Sequence, residues 1–175
     1  ENGAEICFLS EQSSWEEKRT EESLKQLVPT SLTGNPTLLH PDDLTFRLSD
    51  LPQTFSQFRK KVEKNWVIRA SIPSPKELTS CKHIHDNLPT LKDLGFDNLS
   101  PEPRTYFTFH GGSLSGQNRV KDWIWNKQNL RTYKLTRNQL IGPDFSSRFS
   151  AWLATGCLSP RNIYEEIKKY ESHHG

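Results

Sequence analysis

Apolar positions are sparse along this chain, and the clearest helical spacing falls near its end. Ile163, Ile167 and Tyr170 in SPRNIYEEIKKYE (159–171) share one helical face. Ser159 stands at the cap position and Pro160 at the first helical position, so this stretch predicts an amphipathic helix. SSRFSAWLAT (146–155) predicts another, closed near Gly156. GQNRVKDWIWNKQNL (116–130) puts Val120, Trp123 and Ile124 on one face, and YKLTRNQL (133–140) predicts a shorter helix. IGPD (141–144) reads as a turn between them.

The earlier part is more polar. SSWEEKRTEESLKQLV (13–28) predicts a charged helix with Ser14 as its cap and acids in its first turn. PTSLTGNP (29–36) reads as a break, and TLL (37–39) as a short strand. LPQTFSQFRKKVEKN (51–65) predicts a second amphipathic helix, with Phe55, Phe58 and Val62 on one face. From about 66 to 113 the pattern fades among five prolines, which predicts a linker, since structureless loops of that length are uncommon inside compact domains.

Composition supports this uneven picture. Only 33% of the 175 residues are hydrophobic, too few to expect one core running through the whole chain. There is no methionine and the first residue is Glu1, as expected of an internal segment of a longer protein. No apolar run approaches the roughly 18 residues that span a bilayer. Three scattered cysteines do not make a disulfide framework, so a reducing, intracellular setting is expected. Charge divides unevenly: residues 1–114 carry 13 basic and 16 acidic side chains, and residues 115–175 carry 10 and 5. The basic C-terminal part suits an anionic partner, although a solvated helix surface would look the same.

Candidate chemistry concentrates at the start of the 146–155 stretch. Ser146, Ser147, Arg148 and Ser150 bring hydroxyls and a guanidinium to a helix N-terminus, where free N–H groups and the helix dipole favour anions. On local chemistry alone, plain capping is the commoner role of such serines. Tyr133, Arg137 and Asn138 lie just upstream. CKHIHD (81–86) has a thiol and two imidazoles but no second ligand pair, so no metal site is expected. Trp123, Trp125 and Trp152 are expected in the core. No P-loop, GxGxxG, HExxH or GxSxG pattern occurs.

The stretch YKLTRNQLIGPDFSSRFSAWLATGCLSPRNIYEEIKKYE (133–171) strongly resembles the photolyase/cryptochrome family, most closely its DASH branch. The likeness continues upstream in FHGGSLSGQNRVKDWIW (109–125), in LPQTFSQFRKKVE (51–63) and in TLLHPDDLTF (37–46). It implies a mostly α segment: the tail of an α/β domain, a long irregular linker and the first helices of an all-α FAD-binding domain. The corresponding divisions are 1–52, 53–113 and 114–175.

The resemblance also implies function. Members bind FAD, and blue light drives electron transfer from the reduced flavin to a cyclobutane pyrimidine dimer in DNA, or else signalling. DASH members resemble deoxyribodipyrimidine photo-lyases acting mainly on single-stranded DNA. Carried over by position, Tyr133, Ser146, Ser147, Arg148, Phe149 and Ser150 are implied FAD contacts and Arg137 an implied DNA contact. No catalytic residue is implied within the segment. A folate antenna would belong to the parent protein, and a monomer is expected.

Three positions depart from the family pattern. Ser113 stands where an acid is usual, Ser146 replaces threonine, and GNPTLLH lacks the aromatic before its glycine. The remaining walls of the FAD pocket are implied to lie outside the segment. The isolated segment is therefore expected to be inactive and to carry little flavin, because burial supplies most of a cofactor site. The competing reading is a truncated, non-catalytic relative that serves as an interaction module without flavin.

Overall fold

The computed structural model describes residues 6–10, 14–33, 37–77, 89–97 and 102–175. It is mostly helical with few strands, and its residues gather into two compact units, one of 1–71 with 152–175 and one of 72–151.

The first unit opens with a β-α-β arrangement. Strand β1 (Cys7–Ser10) and strand β2 (Thr30–Thr33) pair in parallel, with Cys7 opposite Thr30, and helix α1 (Trp15–Leu27) forms the crossover between them. Ser14 caps α1 as predicted, its hydroxyl accepting from the Glu17 N–H. The strands lie where the sequence shows too short an alternation to announce them, and β2 falls inside the stretch read as a break. The strand expected at 37–39 is instead a bend: the Thr37 hydroxyl donates to the Leu39 carbonyl at 2.6 Å.

Helix α2 (Phe55–Val62) follows, capped by Thr54, and buries only Val62. Residues 66–71, at the start of the expected linker, are tied down at three points. Trp66 meets Tyr164 edge to face at 6.3 Å. Arg69 makes two bonds to the Asp43 carboxylate, at 2.7 and 2.9 Å. Ser71 donates its N–H and its hydroxyl to Glu165, at 2.6 and 2.7 Å. Helix α6 (Pro160–His174) carries Tyr164 and Glu165, and it starts as predicted with Ser159 accepting from the Arg161 N–H. Among the described residues of this unit, Trp152, Leu158, Ile163, Tyr170, Leu9 and Val62 are the buried apolar ones.

The second unit centres on helix α3 (Ser113–Lys121), which begins directly after Gly112 at φ +87°. It runs into one π turn, Asp122–Asn126, and stops where Gln128 turns left-handed at φ 51°. A predicted single helix thus becomes two helical forms, yet Val120, Trp123 and Ile124 are all buried as their spacing required. Helix α4 (Tyr133–Thr136) is a single turn, shorter than expected. CKHIHD (81–86) lies outside the described residues, and no cluster of metal-ligating side chains occurs among those that are described. No described helix is long and apolar enough to cross a membrane.

Helix α5 (Ser150–Ala154) is also shorter than the 146–155 stretch predicts. Residues 146–149 form a loop instead. A helix begun there would need the carbonyls of Ser146 and Ser147 for the N–H groups four residues on, and both are taken by Arg119. Arg148 also adopts φ +58°, outside helical geometry.

Candidate functional site

The site is built on one buried guanidinium. Arg119 projects from α3 one turn before Trp123 and is buried, a rare place for arginine unless every donor is matched. Its Nε donates to the Ser147 carbonyl at 3.1 Å. Its Nη2 donates to the carbonyls of Pro143 and Ser146, at 3.0 and 3.3 Å. Its Nη1 reaches Asp144 Oδ1 at 3.1 Å. Four acceptors within residues 143–147 therefore converge on one side chain.

Two more groups hold the same loop. The Trp123 indole N–H donates to the Asp144 carbonyl at 2.8 Å. Lys127 Nζ lies 3.1 Å from the carboxylates of both Asp122 and Asp144. Burial works against the Asp144 charge, but the hydrogen bonds from Arg119 and Lys127 outweigh it and hold its carboxyl below the ordinary range. The bond to Asp122, with a further one to Asp144, raises Lys127 above the usual ammonium value despite some desolvation.

This arrangement decides which way the loop's donors face. In a trans peptide the C=O and the following N–H point in opposite directions. With the Ser146 carbonyl turned to Arg119, the Ser147 N–H points away from it. Neither that N–H nor the Ser147 hydroxyl has a partner among the described residues. The Ser146 hydroxyl accepts from the Arg148 N–H at 3.3 Å. Arg148 donates through Nη2 to the Gly142 carbonyl at 3.1 Å, while its Nε is buried and unpartnered. Gly142, at φ +142°, admits no side chain, because a Cβ would stand 2.6 Å from the Phe145 ring.

Aromatic side chains complete the frame. Phe149 is buried and meets Trp123 edge to face at 5.8 Å. Tyr133 meets the same indole at 5.4 Å from α4, with 37% of its surface exposed. Phe107 lies beneath both guanidiniums, 4.8 Å from Arg119 and 5.8 Å from Arg148. Of the residues singled out from sequence, Tyr133 and Phe149 are thus joined through Trp123, and Ser146, Ser147 and Arg148 lie on one loop. Ser150 is exposed at the first position of α5. Arg137 is exposed beyond the end of α4 and forms no ion pair among the described residues. Arg119, Asp144 and Phe107 were not singled out. Arg119 did leave a signal: it stands four positions before Trp123, a charge on the helical face of a core residue.

The loop can receive an anion. It combines outward donors, an orphaned buried guanidinium nitrogen and an inner cation that neutralises its own acid. These features fit a phosphate group better than a carbonyl or a cation.

No protein-family model matches the chain. It is 41% identical over 146 residues to a cryptochrome DASH of Gloeobacter violaceus, covering 83% of this chain and 29% of that protein. It is 40% identical over 179 residues to the chloroplastic/mitochondrial cryptochrome DASH of Arabidopsis thaliana, covering 97% of this chain and 31% of the relative. The chain therefore spans about a third of the length of these curated relatives. The crystal structure of a Synechocystis cryptochrome superposes with a TM-score of 0.86 at 37% identity, over 97% of this chain and 36% of that one. A class III photolyase from Agrobacterium tumefaciens gives a TM-score of 0.77 at 20% identity over 99% of this chain and 36% of its own, a likeness of fold.

Proposed function

We propose, from the premise that this chain belongs to the photolyase/cryptochrome family, that it contributes the phosphate-holding loop of a blue-light flavoprotein. The observation that carries the reading is the Arg119 latch. Arg119 holds the carbonyls of Pro143, Ser146 and Ser147 inward, which leaves the Ser147 N–H and hydroxyl and the Arg148 Nε without partners. A pyrophosphate supplies the acceptors that such donors lack.

In this reading Ser146, Ser147, Arg148 and Ser150 hold the pyrophosphate region of FAD. Phe149 acts through its backbone and its packing on Trp123, because its ring is buried. Tyr133, partly exposed beside the same indole, packs against the cofactor. What bound FAD supplies is blue-light absorption and an electron. The chain's part is to fix the phosphates, orient the cofactor and screen its charge. Arg137, exposed and outside any ion pair among the described residues, is assigned to a DNA backbone phosphate. Electron transfer to pyrimidine dimers in single-stranded DNA, or photoreceptor signalling, is the proposed activity of the whole protein. Residues 1–52 are assigned to the tail of an α/β domain, 53–113 to a crossover and linker, and 114–175 to the start of the helical domain.

FAD titrated onto the purified chain, read by flavin fluorescence, tests the loop. Binding in the micromolar to millimolar range that ADP competes away is expected, well short of a stoichiometric yellow protein. The Ser147→Ala/Arg148→Ala double variant should abolish it. Equal binding by the double variant, or no binding at low salt, sinks the assignment.

A further inference from the structure

The last turn of α2 and the residues after it carry Arg59, Lys60, Lys61 and Lys64. Cations at a helix C-terminus complement its dipole, and one or two are enough for that. The single acid among them, Glu63, is taken by Arg59, with Nε 3.1 Å from Oε1. Lys60, Lys61 and Lys64 form no ion pair among the described residues.

These lysines surround something. With Thr45, Phe46 and Glu63 they line an open concavity of about 690 Å³, within the range of roughly 300–1,000 Å³ usual for small-molecule sites. Phe46 is half-buried and fixed at right angles to Phe58, ring centres 6.1 Å apart. Lys61 Nζ stands 5.1 Å from the Phe46 ring centre. Among the described residues the concavity thus offers unneutralised ammonium groups, one hydroxyl and an aromatic wall, and its only carboxylate already has a cation. A ligand that pairs negative charge with a planar ring uses all of these. Ammonium groups suit phosphate as point charges, and aromatic side chains stack bases without regard to their identity.

We propose that this concavity binds a nucleotide unit, its phosphate on Lys60 and Lys64 and its base against Phe46. A free nucleotide and one exposed residue of a nucleic acid strand share this chemistry; a duplex, whose bases are already stacked, presents only its phosphates. The site shares no residue with the 146–150 loop and does not depend on the reading of that loop.

The test uses the full chain with Ser147→Ala/Arg148→Ala as the common background, so that the 146–150 loop takes up no probe, a fluorescent ATP analogue and a labelled oligothymidylate, followed by anisotropy at low and moderate salt. Lys60→Glu/Lys64→Glu should weaken both probes at least about tenfold and flatten the salt dependence. Phe46→Leu should weaken them several-fold with the salt dependence intact. Lys25→Ala, at an exposed lysine of α1 outside the concavity, should leave both probes unaffected. An oligothymidylate bound about tenfold tighter than the nucleotide, with the same sensitivity to both variants, identifies a strand; equal affinities identify a free nucleotide. The proposal is overturned if the background chain binds neither probe, or if Lys60→Gln/Lys64→Gln, which removes the charges but keeps polar side chains, binds as well as the background. It is also overturned if Phe46→Leu changes nothing, which would leave only a patch for polyanions.

Discussion

The Arg119 Nε donates to the Ser147 carbonyl at 3.1 Å, across 28 residues of sequence. That bond links the interior of α3 to the loop proposed to hold phosphate. The same guanidinium takes the Ser146 carbonyl and Asp144 Oδ1. The loop is therefore shaped from behind, by a residue that need not touch the ligand.

Removing Arg119 leaves three part-buried carbonyls and the Asp144 carboxylate without their donor. Arg119→Met is expected to cost about 3–5 kcal/mol, the usual penalty for breaking one side of a buried charged pair. Arg119→Lys keeps the charge but loses the planar fork, and should cost about 2 kcal/mol. Chemical denaturation measures both. A loss under 1 kcal/mol for Arg119→Met would mean that the loop does not depend on this side chain.

Acid should loosen the same loop. The Asp144 carboxyl is held below its ordinary value of 3.8 by the bonds from Arg119 and Lys127, which outweigh its desolvation. A depressed carboxylate stabilises the fold above its unfolded value, and that contribution disappears as pH falls through the folded value. Melting curves of wild type and Asp144→Asn are expected to converge as pH falls below about 4, with wild type the more stable at neutral pH. Parallel curves across that range would show that the Asp144 charge is not coupled to folding.

Much of the helical content was legible because its causes are local. Ser14 and Ser159 cap the helices that follow them, and Val120, Trp123 and Ile124 are buried where their spacing put them. The loop was not legible, because its cause lies elsewhere in the chain. Serine, arginine and phenylalanine at 146–149 read as a helix start until Arg119 competes for the carbonyls of Ser146 and Ser147. The two strands were missed for a related reason: a four-residue parallel pair has too short an alternation to register, and its partner strand is 23 residues away. The serine hydroxyls are compatible with an anion site, and it is the family resemblance, not local chemistry, that favours this reading over simple capping.

The 66–71 strap yields another expectation. The two bonds from Ser71 hold the Glu165 carboxyl below its ordinary value of 4.5. Glu165→Gln keeps the shape but weakens both bonds, and a cost of about 1 kcal/mol is expected after allowing for partial solvent exposure. Local hydrogen exchange should show the Ser71 amide losing protection before the helical amides of α6. Unchanged exchange at Ser71 would mean that the strap is held by Trp66 and Arg69 alone.

Arg148 separates the demands of fold from those of binding. Its backbone is left-handed at φ +58°, which costs a non-glycine residue about 1 kcal/mol, while its side chain gives one bond to the Gly142 carbonyl and keeps Nε in reserve. Arg148→Gly relieves the backbone and loses the bond, so its stability should stay within about 1 kcal/mol of wild type. Arg148→Ala loses the bond and keeps the backbone cost, so it should be about 1 kcal/mol less stable than the glycine variant. Both should lose FAD binding to the same extent, because neither carries a guanidinium. Denaturation curves and flavin titrations on the two variants read these effects independently. FAD retained by Arg148→Gly but lost by Arg148→Ala would make backbone shape, and not the guanidinium, the basis of phosphate binding in this loop.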